Sequence, residues 1–157
     1  MWTRRPVIVL VAVVMLIVCP LDLLSGNQTS SSKSLNRHLE STKCLKCLCV
    51  GSSNCMMDAG CDMAGYCGPL RLCEEYWINA GMRGGDFQKC ALNYTCATKT
   101  VVAFMNRYAE DCDGDQAITC DDYARIHFQG VQLCSMMLYT PEWQRYTKCM
   151  SAYGAMQ

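Results

Sequence analysis

Thr119-Cys120-Asp121-Asp122-Tyr123-Ala124-Arg125-Ile126-His127 is the stretch on which the reading of this chain turns. It opens on a hydroxyl residue followed three positions later by a carboxylate, Thr119-x-x-Asp122. At that spacing each side chain reaches the other's backbone N–H, so two of the donors that a helix start leaves unpaired are satisfied together. The segment therefore predicts a helix that begins beside a cysteine and continues at least to His127.

Other helices flank it. Val101, Phe104, Met105 and Tyr108 share one face of a helix predicted from about Cys96 to Asp111. Thr140-Pro141-Glu142 supplies a capping hydroxyl, a proline at the first helical position and an acid near the positive end of the dipole. Leu70, Leu72, Tyr76, Trp77 and Ile78 predict a helix within Pro69–Ala80, stopped by Gly81, with Glu74 and Glu75 on its solvated face. From Cys44 to Gly68 cysteines and glycines dominate without a sustained period, so this part is expected to be a cross-linked loop region with a small hairpin. The fold class is mainly α (small α+β): one disulfide-rich domain with a cystine-rich N-terminal lobe and about four helices.

The chain has 14 cysteines. Cys19 lies in the apolar run Val7–Val18 and its flank, which follows Arg4 and Arg5 and precedes Ser25-Gly26. Charged residues, an apolar core and small residues in that order read as a secretory signal peptide over 1–26. A membrane anchor needs about 20 apolar residues, and Pro20 and Asp22 interrupt the run. Residues 27–42 are polar and expected to form a flexible leader. The folded domain is placed at 43–157, long enough for one core. Thirteen cysteines follow Cys19, and cysteine this dense in an exported domain reads as a disulfide framework, the odd count implying one unpaired thiol or a bridge between chains. A zinc knuckle at Cys44-x-x-Cys47-x-Cys49 belongs to reducing compartments and is set aside.

Without Arg4, Arg5 and Asp22 the net charge is near minus one, which offers no basic stripe for nucleic acid. No membrane contact is expected after signal cleavage. Asn27-Gln-Thr29 and Asn93-Tyr-Thr95 are glycosylation sequons. Asp111-x-Asp113-x-Asp115 has Gln116 where a calcium loop needs glycine, so no metal is assigned, and no cofactor.

Several motifs, taken in order, carry a family resemblance. Cys44-Leu45-Lys46-Cys47-Leu48-Cys49, Cys67-Gly68-Pro69, Tyr76-Trp77-Ile78, Gly84-Gly85-Asp86-Phe87-Gln88-Lys89-Cys90, the Cys120–His127 helix, Trp143 and Lys148-Cys149 resemble the invertebrate-type lysozymes, also called the destabilase family. The resemblance implies a lysozyme-like fold and cleavage of the β-1,4 glycosidic link of peptidoglycan. In that chemistry a protonated Glu donates to the leaving oxygen and an Asp serves as nucleophile or stabilises the cationic transition state.

Both acids are missing from their positions. The family's Cys-x-x-Glu-Ser-Gly-Cys reads Cys49-Val50-Gly51-Ser52-Ser53-Asn54-Cys55, which puts Ser52 in place of the Glu. The Asp position falls on Ala64, in a loop three residues shorter than the family's. Asp58 and Asp62 are the substitute candidates. The isopeptide-splitting Ser and Lys reported for some members fall near Tyr66 and on Cys73. The resemblance also implies that Cys73, which the family plan lacks, is the free thiol candidate, able to link two chains, beside a framework of Cys44, Cys47, Cys49, Cys55, Cys61, Cys67, Cys90, Cys96, Cys112, Cys120, Cys134 and Cys149. By family analogy Tyr123, Arg125 and His127 are candidate substrate-binding residues. The resulting expectation is a secreted, extracellular lysozyme-like protein that binds peptidoglycan or another amino-sugar glycan with hydrolysis impaired. The alternatives are an active muramidase using Asp58 or Asp62, and a secreted interaction protein without glycan binding.

Overall fold

The computed structural model describes residues 42–155. The expected signal peptide, the leader up to residue 41 and the Asn27 sequon lie outside the described residues. Six α-helices and one 3-10 turn follow in order: α1 Thr42–Ser53, α2 Glu74–Asn79, α3 Phe87–Leu92, α4 Tyr94–Tyr108, α5 Cys120–Gln129, the turn Val131–Leu133, and α6 Pro141–Gly154. Four helices reach ten residues or more. The described residues contain no strands, only isolated antiparallel bridges of Cys67 with Cys61 and with Leu72. No helix among them is long and apolar enough to cross a membrane.

Helix α1 corrects the expectation of a loop region from Cys44 onward. Cys44, Cys47, Leu48, Gly51 and Ser52 are all buried, which is the i, i+3, i+4, i+7, i+8 spacing of one helix face. The stripe is built mostly from cysteine, glycine and serine, so it lacks the large aliphatic residues that usually announce a core helix. After Ser53 the cystine-rich segment is irregular, as expected. The helix predicted over Pro69–Ala80 is confined to Glu74–Asn79. Pro69 and Leu70 are used by the turn in which the Arg71 N–H donates to the Gly68 carbonyl at 3.0 Å, and Leu72 exchanges both backbone hydrogen bonds with Cys67. Helix α3, not anticipated, starts where the Asp86 carboxylate accepts from the Lys89 N–H at 2.9 Å.

The Thr119–Asp122 capping box forms at α5. Asp122 is fully buried, and its carboxylate also accepts the Cys112 N–H at 2.9 Å, fastening the loop before α5 to the helix start. Thr140 caps α6 through the Trp143 N–H, with Pro141 in the first turn.

Six disulfides with both ends among the described residues lock the helices together. Cys44–Cys120 joins α1 to α5 and Cys47–Cys149 joins α1 to α6. Cys49–Cys55, Cys61–Cys67 and Cys90–Cys96 are short local closures, and Cys112–Cys134 ties the loops on either side of α5. All twelve cysteines of the expected framework are thus paired. Cys73 is a correction: it is disulfide-bonded, and no free cysteine is found among the described residues. Cys73 is only 4% exposed at the start of α2, an interior position that suits a bridge and not a reactive thiol.

The most extensive helix contact is between α1 and α6. Gly51 makes it possible: a Cβ there would lie 2.5 Å from Phe128 Cζ and 3.1 Å from both the Glu142 carbonyl and Tyr146 Cβ. Gly51→Ala is therefore expected to cost about 1–3 kcal/mol in chemical denaturation, as overpacking does. Gly154→Ala, with nothing within 4 Å of its new Cβ, is the control and should be neutral or stabilising by up to about 1 kcal/mol. Equal effects at the two positions would contradict the close approach.

Candidate functional site

Three helices and one loop converge on Ser52. It sits in the last turn of α1 and is 4% exposed. A cavity of about 190 Å³ opens beside it, lined also by Tyr66 and Arg71 from the cystine loop, His127 and Phe128 from α5, and Glu142 from the first turn of α6. The end of α1 is held there by Arg145. Its guanidinium donates to the Gly51 carbonyl from Nε at 3.0 Å and Nη2 at 2.6 Å, and to Glu142 at 3.3 Å. A cation on the last carbonyls of a helix complements both the unpaired acceptors and the negative end of the dipole.

The proton positions within the site follow from its hydrogen bonds. His127 Nε2 lies 3.1 Å from the Leu70 carbonyl and 3.2 Å from Ser52 Oγ. A carbonyl can only accept, so Nε2 carries the ring proton and shares it between the two oxygens. The Ser52 hydroxyl donates in turn to the Leu48 carbonyl at 2.9 Å, one helical turn back. The pair therefore does not resemble an activated nucleophile, in which histidine must accept the serine proton. Burial pushes the His127 pKa down to about 4, more than its Leu70 bond raises it. Its ring is neutral at physiological pH, with Nδ1 buried and unpartnered among the described residues. Tyr76 and Phe128 pack edge-on against it, with ring centroids 5.6 and 5.4 Å away.

Two carboxylates stand near the opening, and both are ionised. Slight burial raises Asp62, but the Tyr66 N–H, the Arg71 guanidinium and the Ala64 N–H outweigh that and hold its pKa below the ordinary value. Burial likewise raises Glu142, and its own N–H, the Thr140 hydroxyl and Arg145 together bring it below the usual range. Each acid is already paired with an arginine. Arg71 also lies over the Tyr66 ring, 5.4 Å from its centroid.

The expected residues divide accordingly. Ser52 and His127 meet in the cavity, and Asp62 touches it through Arg71. Ala64 is exposed, its N–H held by Asp62 at 2.9 Å in a tight turn. Asp58 is exposed in the turn after Cys55 and does not line the cavity. Tyr123 is a correction: it is fully buried in the core, so it presents no surface to a ligand. Arg125 is also displaced from the expected role. Its guanidinium lies over Trp143 and bonds to the Met136 carbonyl, and it does not line the cavity. Asn93 is exposed and caps α4 through its side-chain oxygen, which accepts the Cys96 N–H at 3.0 Å.

Arg71, Phe128, Glu142 and Arg145 are site residues that sequence reasoning missed. Glu142 reads in the sequence as a helix-dipole acid, and nothing local signals that α6 brings it beside Ser52.

Comparison with known proteins agrees with this architecture. The Destabilase family model matches residues 41–149. "Lysozyme 1" of Crassostrea virginica is 34% identical over 122 residues, covering 74% of this chain and 64% of that protein, so the chain spans less than two thirds of that relative. "Lysozyme" of Magallana gigas is 39% identical over 99 residues, 60% of this chain and 69% of that protein. Among solved structures, the inhibitor-bound lysozyme from Meretrix lusoria superposes with a TM-score of 0.62 at 32% identity, covering 74% of this chain and 95% of that one. The Meretrix lusoria lysozyme in complex with Aeromonas hydrophila PliI superposes equally well, at 31% identity. With family match, sequence identity and superposition in agreement, the chain belongs to the destabilase family of invertebrate-type lysozymes.

Proposed function

We propose that this is a secreted lysozyme-like protein that holds an amino-sugar glycan of the bacterial wall at the Ser52 cavity without hydrolysing it. The observation that carries the reading is that, among the described residues, no carboxyl group at the cleft is held in its protonated form. Ser52 stands at the family's acid position with its hydroxyl proton committed to Leu48. The carboxylates nearby, Asp62 and Glu142, both have pKa values lowered from the ordinary range. Glycosidic cleavage needs a carboxylic acid that keeps its proton near neutrality. General acid catalysis contributes about two to four orders of magnitude in rate, and neither described carboxylate at the cleft is tuned to supply it.

Binding is the capacity that remains. The cavity offers an aromatic wall of Phe128 and Tyr66, the Arg71 guanidinium as donor and Glu142 as acceptor, the combination that sugar hydroxyls and ring faces require. At about 190 Å³ it is smaller than the roughly 300–1,000 Å³ of drug-sized sites, and suits one sugar unit of a longer chain. The six disulfides among the described residues suit an oxidising, extracellular setting.

A second reading, an active muramidase built on Asp62, draws on that residue's ionised state and its link to the cavity through Arg71. Turbidity of a Gram-positive wall suspension separates the two. The native protein is expected to leave it unchanged, and Ser52→Glu/Ala64→Asp to clear it measurably. Clearing by the native protein that disappears in Asp62→Asn or Asp58→Asn would establish the second reading.

The site also sets a pH dependence. His127 has a folded pKa of about 4 against an ordinary 6.5, so between those values the unfolded chain binds the extra proton. Stability should fall as pH drops from about 6.5 to about 4, by up to about 1.4 kcal/mol per pH unit. Denaturant midpoints of native protein and His127→Gln across that window test it: the variant should lose this component of the slope. A His127 ring titrating near 6.5 by NMR would refute it.

A further inference from the structure

We infer that the molecule carries a second binding site, distinct from the Ser52 cavity, for a polymer bearing phosphate or sulfate ester groups. The site is a cavity of about 570 Å³ between the Gly84–Gly85 turn and the start of α4. Arg83, Lys89 and Lys99 all line it, together with Asn93, Thr95 and the Cys90–Cys96 bridge.

Three features point to an anion. First, none of the described residues that line the cavity is acidic. The nearest acid in sequence, Asp86, accepts the Lys89 backbone N–H at 2.9 Å and caps α3. Second, the ion pairs among the described residues are Arg71–Asp62 and Arg145–Glu142, so none of these three cations is neutralised by a neighbour. In a chain with 14 basic and 14 acidic residues, three unpaired cations on one concavity form a local positive field that the overall charge conceals. Third, the first turn of α4, a helix of 15 residues, opens on the same cavity through Thr95 and Cys96 and adds the positive end of its dipole. Arg83 suits the paired oxygens of a phosphate or sulfate ester, and the lysines add point charges.

The floor is rigid. The Cys90–Cys96 bridge joins α3 to α4, Asn93 caps α4 between them, and Gly84 packs so closely that a Cβ would lie 3.0 Å from the Cys96 sulfur. The recognition surface also continues. Arg83 and Lys99 border a neighbouring cavity of about 280 Å³, which runs on over Leu45 and Val102. Two cavities sharing two cations suit a chain of repeated esters better than one small ion.

Fluorescence anisotropy on the full chain tests the inference, with protein produced without N-linked glycan because Asn93 stands on the rim. The probes are labelled dextran sulfate and poly(glycerol phosphate), with neutral dextran as reference. At least one anionic polymer is expected to bind saturably and to weaken as salt is raised, and the tighter of the two identifies the ester. Lys99→Glu should weaken that binding at least about tenfold, as loss of a charged hydrogen-bonding partner does. Lys148→Glu, an equal change of net charge on exposed α6, should weaken it less than about twofold. Binding no stronger than to neutral dextran, or equal loss in the two variants, would overturn the site.

Discussion

The close approach of α1 to α5 and α6 is the contact on which the remainder depends. Gly51 permits it sterically, because any larger residue would meet Phe128 and the backbone of Glu142. Cys44–Cys120 and Cys47–Cys149 then fix it covalently across sequence separations of 76 and 102. Bridges that close long loops remove the most entropy from the unfolded chain in the loop-closure account, on the order of 4–5 kcal/mol each. A domain of this size with six helices, two of them only six residues long, draws much of its stability from such links. The same contact delivers Ser52, His127, Phe128 and Glu142 to one cavity, so packing and site share a single cause.

The chemistry of the cavity follows from which groups hold protons. A hydrolytic pair needs one carboxyl kept neutral by apolar surroundings and one kept ionised. Here apolar burial acts on an imidazole instead: His127 is neutral because it is enclosed by Tyr76 and Phe128. The two carboxylates stand at the rim, each beside an arginine that favours its charge. The proposed reading, glycan binding without proton donation, rests on that arrangement. Ser52 fits that arrangement, since its hydroxyl closes onto Leu48 and His127 without adding a charge.

Much of the framework is legible in the sequence. The Thr119–Asp122 box, the Thr140-Pro141 start and the aromatic face of α4 are local signals, and each forms where the residues indicate. Helix α1 is not legible in the same way, because cysteine, glycine and serine make its buried face and cysteine is normally counted as a loop cross-link. Of the site, Ser52 and His127 are readable from motif positions. Glu142, Arg145 and Arg71 are not, because only the packing of α6 and the turn after Gly68 bring them to Ser52. Tyr123 and Arg125 show the converse error. They share a helix with His127, but rotation about the axis sends Tyr123 into the core and Arg125 onto Trp143.

The most direct measurement is a titration of the protein with an oligomer of β-1,4-linked N-acetylglucosamine, followed by the intrinsic fluorescence of its tryptophans, with the sugar recovered afterwards and sized by mass spectrometry. Saturable binding, weakened by Arg71→Ala or Phe128→Ala, with the oligomer returned intact, is the expected result. Shortened oligomer would contradict the absence of hydrolysis, and no saturable change with native protein would contradict glycan binding itself.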